Sequence, residues 1–464
     1  MIDIKDLRER PQVYKANMKK KGRDQKLVDE VLELDKQWRA VKLRADNLRH
    51  ERNRISEEIN LAKKSKDEEA VKKMIGVARE IPKKLKDLMA EEADLRDSFR
   101  KQLSLIPNLM SGRVPLGDSD KDNKVEKVYG KPRKFSFPVR GHAEIAEALG
   151  MANFEDSARV AGTGFYYIES DLALLNQALI RFAIDKMLAK GFRYIETPLM
   201  LRNEVIDRVT DLNDQEVMIY RIANDDNSLI GTSEHSLIGR FVDQEINSEK
   251  MPIKHTSYSM CFRKEIGSHG IDEKGLFRTH QFNKVEMIVI CMPEQSESFF
   301  EEMKKISVEI YKELGIPFRI LQICSGDLGD LKYEQVDFEV YSPRRKGYIE
   351  AGSCSNLTDA QARKLGISTV IKGQRIVPHT LNNTAIATPR PLIAILENFQ
   401  NKDGSVNIPK ALQKYMGGKK KIEKQSSQQL RTKTTNKTHA KKTAATKRTK
   451  KHATKQAKKR AKKK

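Results

Sequence analysis

Apolar and small residues recur over the first hundred positions at steps of four and three. Leu27, Val31, Leu34, Trp38, Val41, Ala45 and Leu48, then Ile55, Ile59 and Ala62, trace one seam interrupted at Arg52. Val71, Met74, Ala78, Ile81, Leu85, Leu88, Leu95 and Phe99 trace a second, broken at Glu92. This spacing predicts two long helices, and the charged stretch KKSKDEE between them predicts a reversal, so residues 1–110 read as an antiparallel helical coiled-coil arm. At 1.5 Å per residue each helix would reach roughly 50 Å and protrude. Pro82 removes a backbone donor and should kink the second helix or break it near its first turns.

Residues 106–138 contain Pro107, Pro115, Pro132 and Pro138 with Gly112, Gly117 and Gly130, which predicts an extended linker over 111–138. From Gly141 helical and strand periods alternate. Ser170 can cap a helix starting at Asp171, with Leu172, Leu175, Leu179, Phe182 and Met187 on its apolar face, followed by a strand over 192–196 that ends at Pro198. A short apolar strand leads into Thr232, Ser233 and Glu234 at the start of a further helix. The strand over 258–262 delivers Arg263 and Glu265 two residues apart, hence toward one face. A polar loop follows, with Gly267, Gly270 and Gly275 for the turn and Lys264, His269, Lys274 and Arg278 as cations. The return strand over 279–289 places Phe282 and Glu286 on one side. Arg263 suits a phosphate, Glu265 a nucleobase amino group, Phe282 a purine face and Glu286 an ammonium, so the hairpin reads as an ATP site. Beyond it lie an amphipathic helix (294–314), strands over 318–325 and 348–356, and a strand, turn and apolar helix over 379–398.

Length and charge change this picture at one end. A chain of 464 residues suggests two or three domains. Of its 88 Lys and Arg residues, 20 lie in 419–464 beside one acid, Glu423, so +19 of the formal +24 is terminal. Residues 417–464 therefore read as a disordered basic tail with salt-sensitive, nonspecific affinity for RNA. No apolar run approaches membrane length and MIDIKDLRER lacks a signal-peptide core, which predicts a cytoplasmic protein without membrane contact. Cys261, Cys291, Cys324 and Cys354 are scattered, with no Cys/His cluster, so buried thiols and no zinc are expected. There is no GxxxxGK[ST] loop, and KKSK has no HIGH partner.

The stretch CFRKEIGSHGIDEKGLFRTHQFNKVE (261–286) closely resembles motif 2 of class II aminoacyl-tRNA synthetases, in the seryl-tRNA synthetase version. The helix, strand and Pro198 resemble motif 1, a dimer interface, and HTLNNTAIATPRPLIAILEN (379–398) resembles motif 3. IPNLMSGRVPLG is similar to the family's junction between arm and body, CSGDLGD to its CTGDMG pocket wall, and EAGSCSN to its EISSCSN.

The resemblance implies an α+β fold, with an antiparallel-sheet class II synthetase catalytic domain over 139–416 behind the arm. It implies a homodimeric serine–tRNA ligase that activates L-serine with ATP and transfers it to tRNA(Ser). Transfer to tRNA(Sec) is also expected, since the family's arm grips the long variable arm and leaves the anticodon unread. Arg263 and Arg390 are then the catalytic cations. Lys264, Glu265, Thr279 and Phe282, with Glu350, Ala351, Gly352 and Ser353, hold ATP, Glu350 and Ser353 through Mg2+. Thr232, Ser233, Glu234, Glu286 and Thr384 read serine. The chain departs from the commoner LNGSGLAVGRTL, with Asn383, Ala385 and Pro389 in place of glycines and Thr384 in place of serine, which bears on the pocket backbone. The rival readings are a noncatalytic nucleic-acid-binding paralogue, which need not keep Arg263, Glu286, Glu350 and Arg390, and a ligase loading a carrier protein, which would lack the arm.

Overall fold

The computed structural model describes residues 1–266 and 275–424, apart from the side chains of 212–214. The arm is formed by α1 (Lys26–Lys64) and α2 (Glu68–Ser104). Lys66, with positive φ, turns the chain between them, and Asp67 caps α2 by accepting from the Ala70 N–H at 3.0 Å. Val31, Val41, Ala45 and Ile55 of one seam and Ile81, Leu85 and Phe99 of the other are buried, and Trp38 stacks on Phe99 with ring centroids 5.7 Å apart. Pro82 does not break α2. The helix runs through it with the ring exposed, on a side where a carbonyl lacking its N–H partner can turn to water. The seam also hides a charge: Asp35 is fully buried and accepts from Arg8 at 2.8 and 2.7 Å and from Arg39 at 2.9 Å.

The proline-rich segment is more than a linker, because β1 (Lys124–Tyr129) lies within it and pairs with the main sheet. The body then runs through α3 (His142–Ala148), α4 (Ser170–Ala189), β2 (Arg193–Tyr194), α5 (Ser233–Gly239), β3 (Ile253–Phe262), β4 (Gln281–Cys291) and α6 (Ser296–Leu314). It continues with β5 (Phe318–Gln322), β6 (Glu334–Ser342), β7 (Gly347–Thr358), β8 (His379–Ala387) and α7 (Pro389–Asn398). Ser170 is the first residue of α4 and Glu169 occupies the cap position, one residue earlier than the sequence suggests.

Eight strands form one sheet in the order β1-β5-β6-β7-β8-β4-β3-β2, antiparallel throughout except between β3 and β2. Strand period decides where β4 sends its side chains. Val285, Met287 and Val289 join Leu175 and Leu179 of α4 and Met303 and Ile306 of α6 in the main core. Ile288 and Ile290 pack with Leu237 and Ile238 of α5 on the other face. Phe282, Lys284 and Glu286 share that second face, so the polar half of β4 meets the start of α5.

The body does not end at residue 416. Lys421–Ile422 pair with Val406–Asn407, Ile422 is fully buried in the main core, and Lys419 forms an ion pair with Asp171. A chain ending at 416 should therefore lose roughly 2–5 kcal/mol of stability in urea unfolding, the cost of emptying an isoleucine site, while one ending at 424 should lose none. Equal midpoints for the two truncations would show that Ile422 contributes nothing. The basic segment 425–464 and Gly267, His269, Gly270 and Lys274 lie outside the described residues. Among the described residues no helix is long and apolar enough to cross a membrane.

Candidate active site

The hairpin of β3 and β4 opens onto a cleft of about 310 Å³. β3 ends at Phe262, so Arg263 and Glu265 do not leave one strand face as their spacing suggests. Glu265 adopts a left-handed backbone (φ 51°), and the chain's turn brings both side chains to the cleft nonetheless. The Arg263 Nε donates to the Gly231 carbonyl at 3.1 Å, and its guanidinium lies 5.3 Å from the Phe282 ring centroid. Thr279 and Phe282 line the same cleft, and Arg278 pairs with Glu265 at 3.7 Å. Lys264 is half-buried outside the lining, its backbone N–H bonded to the Met218 carbonyl.

The opposite wall is β7, where Glu350, Ala351, Gly352 and Ser353 line the cleft. On a regular strand residues 350 and 353 would point apart. Here Phe338 and Glu339 of β6 pair with Gly352 and Glu350, leaving Ala351 as the extra residue of a bulge, and this puts Glu350 and Ser353 on one side. The carboxylate of Glu350 lies open to the cleft, and Arg390, second residue of α7, donates to its Oε2 at 3.0 Å and to its backbone carbonyl at 2.8 Å. Removal from water pushes the Glu350 carboxyl up, but the Arg390 guanidinium wins and holds it below the ordinary carboxylate range. At Asp337, opposite Ser353 on β6, burial and then Glu350 push the carboxyl well up, against the smaller pull of Gln335 and Lys332.

Where the cleft reaches α5, Lys284 lines it. The Lys284 ammonium lies 2.5 Å from the Glu286 carboxylate and donates to the Thr232 hydroxyl at 3.2 Å. Thr232 caps α5 and accepts from the Glu234 N–H, and Glu234 accepts from Gln361 at 2.9 Å. Glu286 is buried, and burial raises its carboxyl to about 6 against the pull of Lys284. Ser233 points away, its hydroxyl against the Ser257 carbonyl at 3.4 Å. Thr384 pairs with Glu286 across β8 and β4 and faces the cleft.

The departures in the last strand are accommodated. Asn383 turns into the core, bonding the Met303 carbonyl and the Ser307 hydroxyl at 2.8 Å each, and Ala385 sits in a bulge. Pro389 takes the first position of α7. A Cβ on Gly352 would sit 3.0 Å from the Thr384 Cβ and 3.2 Å from its methyl, so these two departures fit each other. CSGDLGD is not among the residues lining the cleft: Gly326 bonds the Gly117 carbonyl, and Leu328 accepts from Lys21 at the base of the arm.

Sequence reasoning missed Lys284, Asp337 and Phe277. A lysine in an apolar strand gives no signal of its own, but its two-residue step from Glu286 does. Phe277 lines the cleft with Arg390 5.2 Å from its centroid.

Residues 1–110 match the family profile of the seryl-tRNA synthetase N-terminal domain, and 219–399 that of the class II tRNA synthetase core domain (G, H, P, S and T). The chain is 41% identical over 424 residues to the serine–tRNA ligase of Methanoculleus marisnigri, across 90% of this chain and 99% of that one. The crystal structure of seryl-tRNA synthetase from Pyrococcus horikoshii complexed with ATP is similar with a TM-score of 0.86 at 37% identity, across 92% of this chain and 100% of that one. Cytoplasmic serine–tRNA ligase from Naegleria fowleri in complex with AMP gives 0.80 at 31%, across 90% and 96%.

Proposed function

The chain belongs to the seryl-tRNA synthetases, and we propose that the cleft walled by β4, β7 and α7 is where it joins ATP to L-serine. The enzyme activates serine with ATP and transfers it to tRNA. The serine carboxylate attacks the α-phosphorus, the bond to the bridging oxygen of the β-phosphoryl group breaks, and pyrophosphate leaves. A hydroxyl of the tRNA 3′-terminal ribose then attacks the seryl carbonyl, gives up its proton and displaces AMP.

One observation carries the assignment of residues: Arg263, Arg390, Glu350 and Ser353, from three separate parts of the chain, line one cleft with Lys284, whose partners are Glu286 and Thr232. The two guanidiniums take the charge developing on the α-phosphoryl oxygens, and holding two anions together is most of the barrier. Phe282 presents a ring to adenine, and Glu265 and the Thr279 backbone fix the base's edge. Glu286, Glu234 and Thr232 take the serine ammonium and hydroxyl, and Thr384 limits the pocket. Glu350 and Ser353, on one face through the Ala351 bulge and with Glu350 kept ionised by Arg390, suit a hard cation and would hold Mg2+, which neutralises phosphate charge when bound.

The protein acts as a cytoplasmic homodimer through α4 and the Pro198 strand. Exposed Leu174, Met260 and Tyr167 on that side support this, as apolar side chains left for a partner. tRNA(Sec) is a second acceptor, and the basic tail adds affinity for either RNA. Serine should support ATP-pyrophosphate exchange where threonine, alanine and glycine do not, and both tRNAs should then be charged. Deleting 425–464 should leave exchange unchanged and weaken tRNA binding most at low salt. No exchange with any amino acid, from folded protein with magnesium, would move the assignment to a noncatalytic nucleic-acid-binding paralogue.

A further inference from the structure

His142 and Glu397 lie 255 positions apart and are both buried. The His142 Nδ1 lies 3.3 Å from the Glu397 Oε1, the same oxygen accepts from the His142 backbone N–H at 3.2 Å, and Ser342 donates to Oε2 at 2.5 Å. With Nδ1 as the donor to the carboxylate, Nε2 is left as an acceptor, and it receives the Leu276 backbone N–H at 3.1 Å. Leu276 stands at the return end of the hairpin loop, one residue before Phe277. That ring carries the Arg345 guanidinium 4.0 Å from its centroid and the Arg390 guanidinium at 5.2 Å. Arg390 is the second residue of α7 and Glu397 stands near its end. The contacts thus close a circuit from Arg390 along α7 to Glu397, through His142 to Leu276, and by Phe277 back to Arg390.

Gly275 shows how closely the imidazole is fitted. Its φ is +121°, and a Cβ there would lie 2.3 Å from the His142 Nε2.

We propose that His142 is a positioning residue for ATP: by accepting the Leu276 N–H at Nε2 while Nδ1 is anchored on Glu397, it sets Phe277 under Arg390 and keeps the phosphate-binding wall assembled before ATP arrives. This rests on the cleft being the ATP site. Asparagine at 142 reaches only as far as Nδ1, so it keeps a donor for Glu397 and loses Leu276. Glutamine reaches as far as Nε2 and keeps an acceptor for Leu276.

The test is the ATP dissociation constant by calorimetry without serine, followed by KM for ATP and for serine in pyrophosphate exchange. His142→Asn should weaken ATP binding about tenfold with KM for serine within about twofold of the parent, and His142→Gln should restore ATP binding to within about threefold. Gly275→Ala, which pushes the ring aside from the other direction, should match His142→Asn, and the double variant should be no worse than either alone. A folded His142→Asn protein that binds ATP as the parent does would overturn the proposal, as would a glutamine variant as impaired as the asparagine one. Calorimetry separates this from the activity assignment, because ATP affinity is read whether or not serine is activated.

Discussion

Serine-dependent pyrophosphate exchange should fall by about 100- to 1,000-fold in Arg263→Ala, roughly 3–4 kcal/mol of transition-state stabilisation. The magnitude follows from where the guanidinium is held. Its Nε is tied to the Gly231 carbonyl and its plane lies near Phe282, so the fork waits in place and needs no reorganisation when charge develops on the α-phosphoryl oxygens. Arg263→Lys should recover little, since a point ammonium cannot bond the Gly231 carbonyl and a phosphoryl oxygen with one planar fork. Thermal unfolding should move little, because the side chain is half-buried and the buried Glu286 carboxylate keeps Lys284 beside it. Exchange within threefold of the parent would remove Arg263 from the chemistry and shift its role to Arg390.

How far the sequence could be read depended on whether a feature is local. The arm was legible because a helical period repeats over ten turns, and Trp38 and Phe99 meet as the two seams require. Asp35 was not, because Arg8, which makes its burial tolerable, comes from a helix outside the seams. β1 escaped for a related reason: an exposed edge strand with a bulge shows neither burial nor clean alternation. Ile422 fell on the wrong side of a composition boundary, because lysines dominate its window while its backbone pairs with Val406 and its side chain enters the core.

The site divides in the same way. Motif 2 and Arg390 could be recognised from residue order. Glu350 and Ser353 came from resemblance alone, since their spacing of three argues against a shared face and only the pairing with β6 creates the Ala351 bulge. Gly352 and Thr384 looked like two separate departures, and only their 3.0 Å approach makes them one arrangement.

The second large effect should be in the pH dependence of serine use. Glu286 is the carboxylate assigned to the serine ammonium, and burial holds its carboxyl at about 6. Above that pH it is ionised and attracts the ammonium, and below it is protonated and neutral. At saturating ATP, kcat/KM for serine should therefore be flat above pH 7 and fall about tenfold per unit below 6. Glu286→Gln should abolish this inflection and lower the plateau by about 100-fold or more, since a neutral amide faces the ammonium and the buried Lys284 loses its counter-charge. Lys284→Met should act in the opposite sense on the inflection. Lys284 lies 2.5 Å from the carboxylate and draws its pKa down, so without it the midpoint should rise and less of the enzyme should be competent at neutral pH. If Glu286→Gln keeps the parental inflection, another group titrates in that range and Glu286 is not the ammonium's partner. If Lys284→Met leaves the midpoint where it was, the lysine serves the substrate directly and does not tune Glu286.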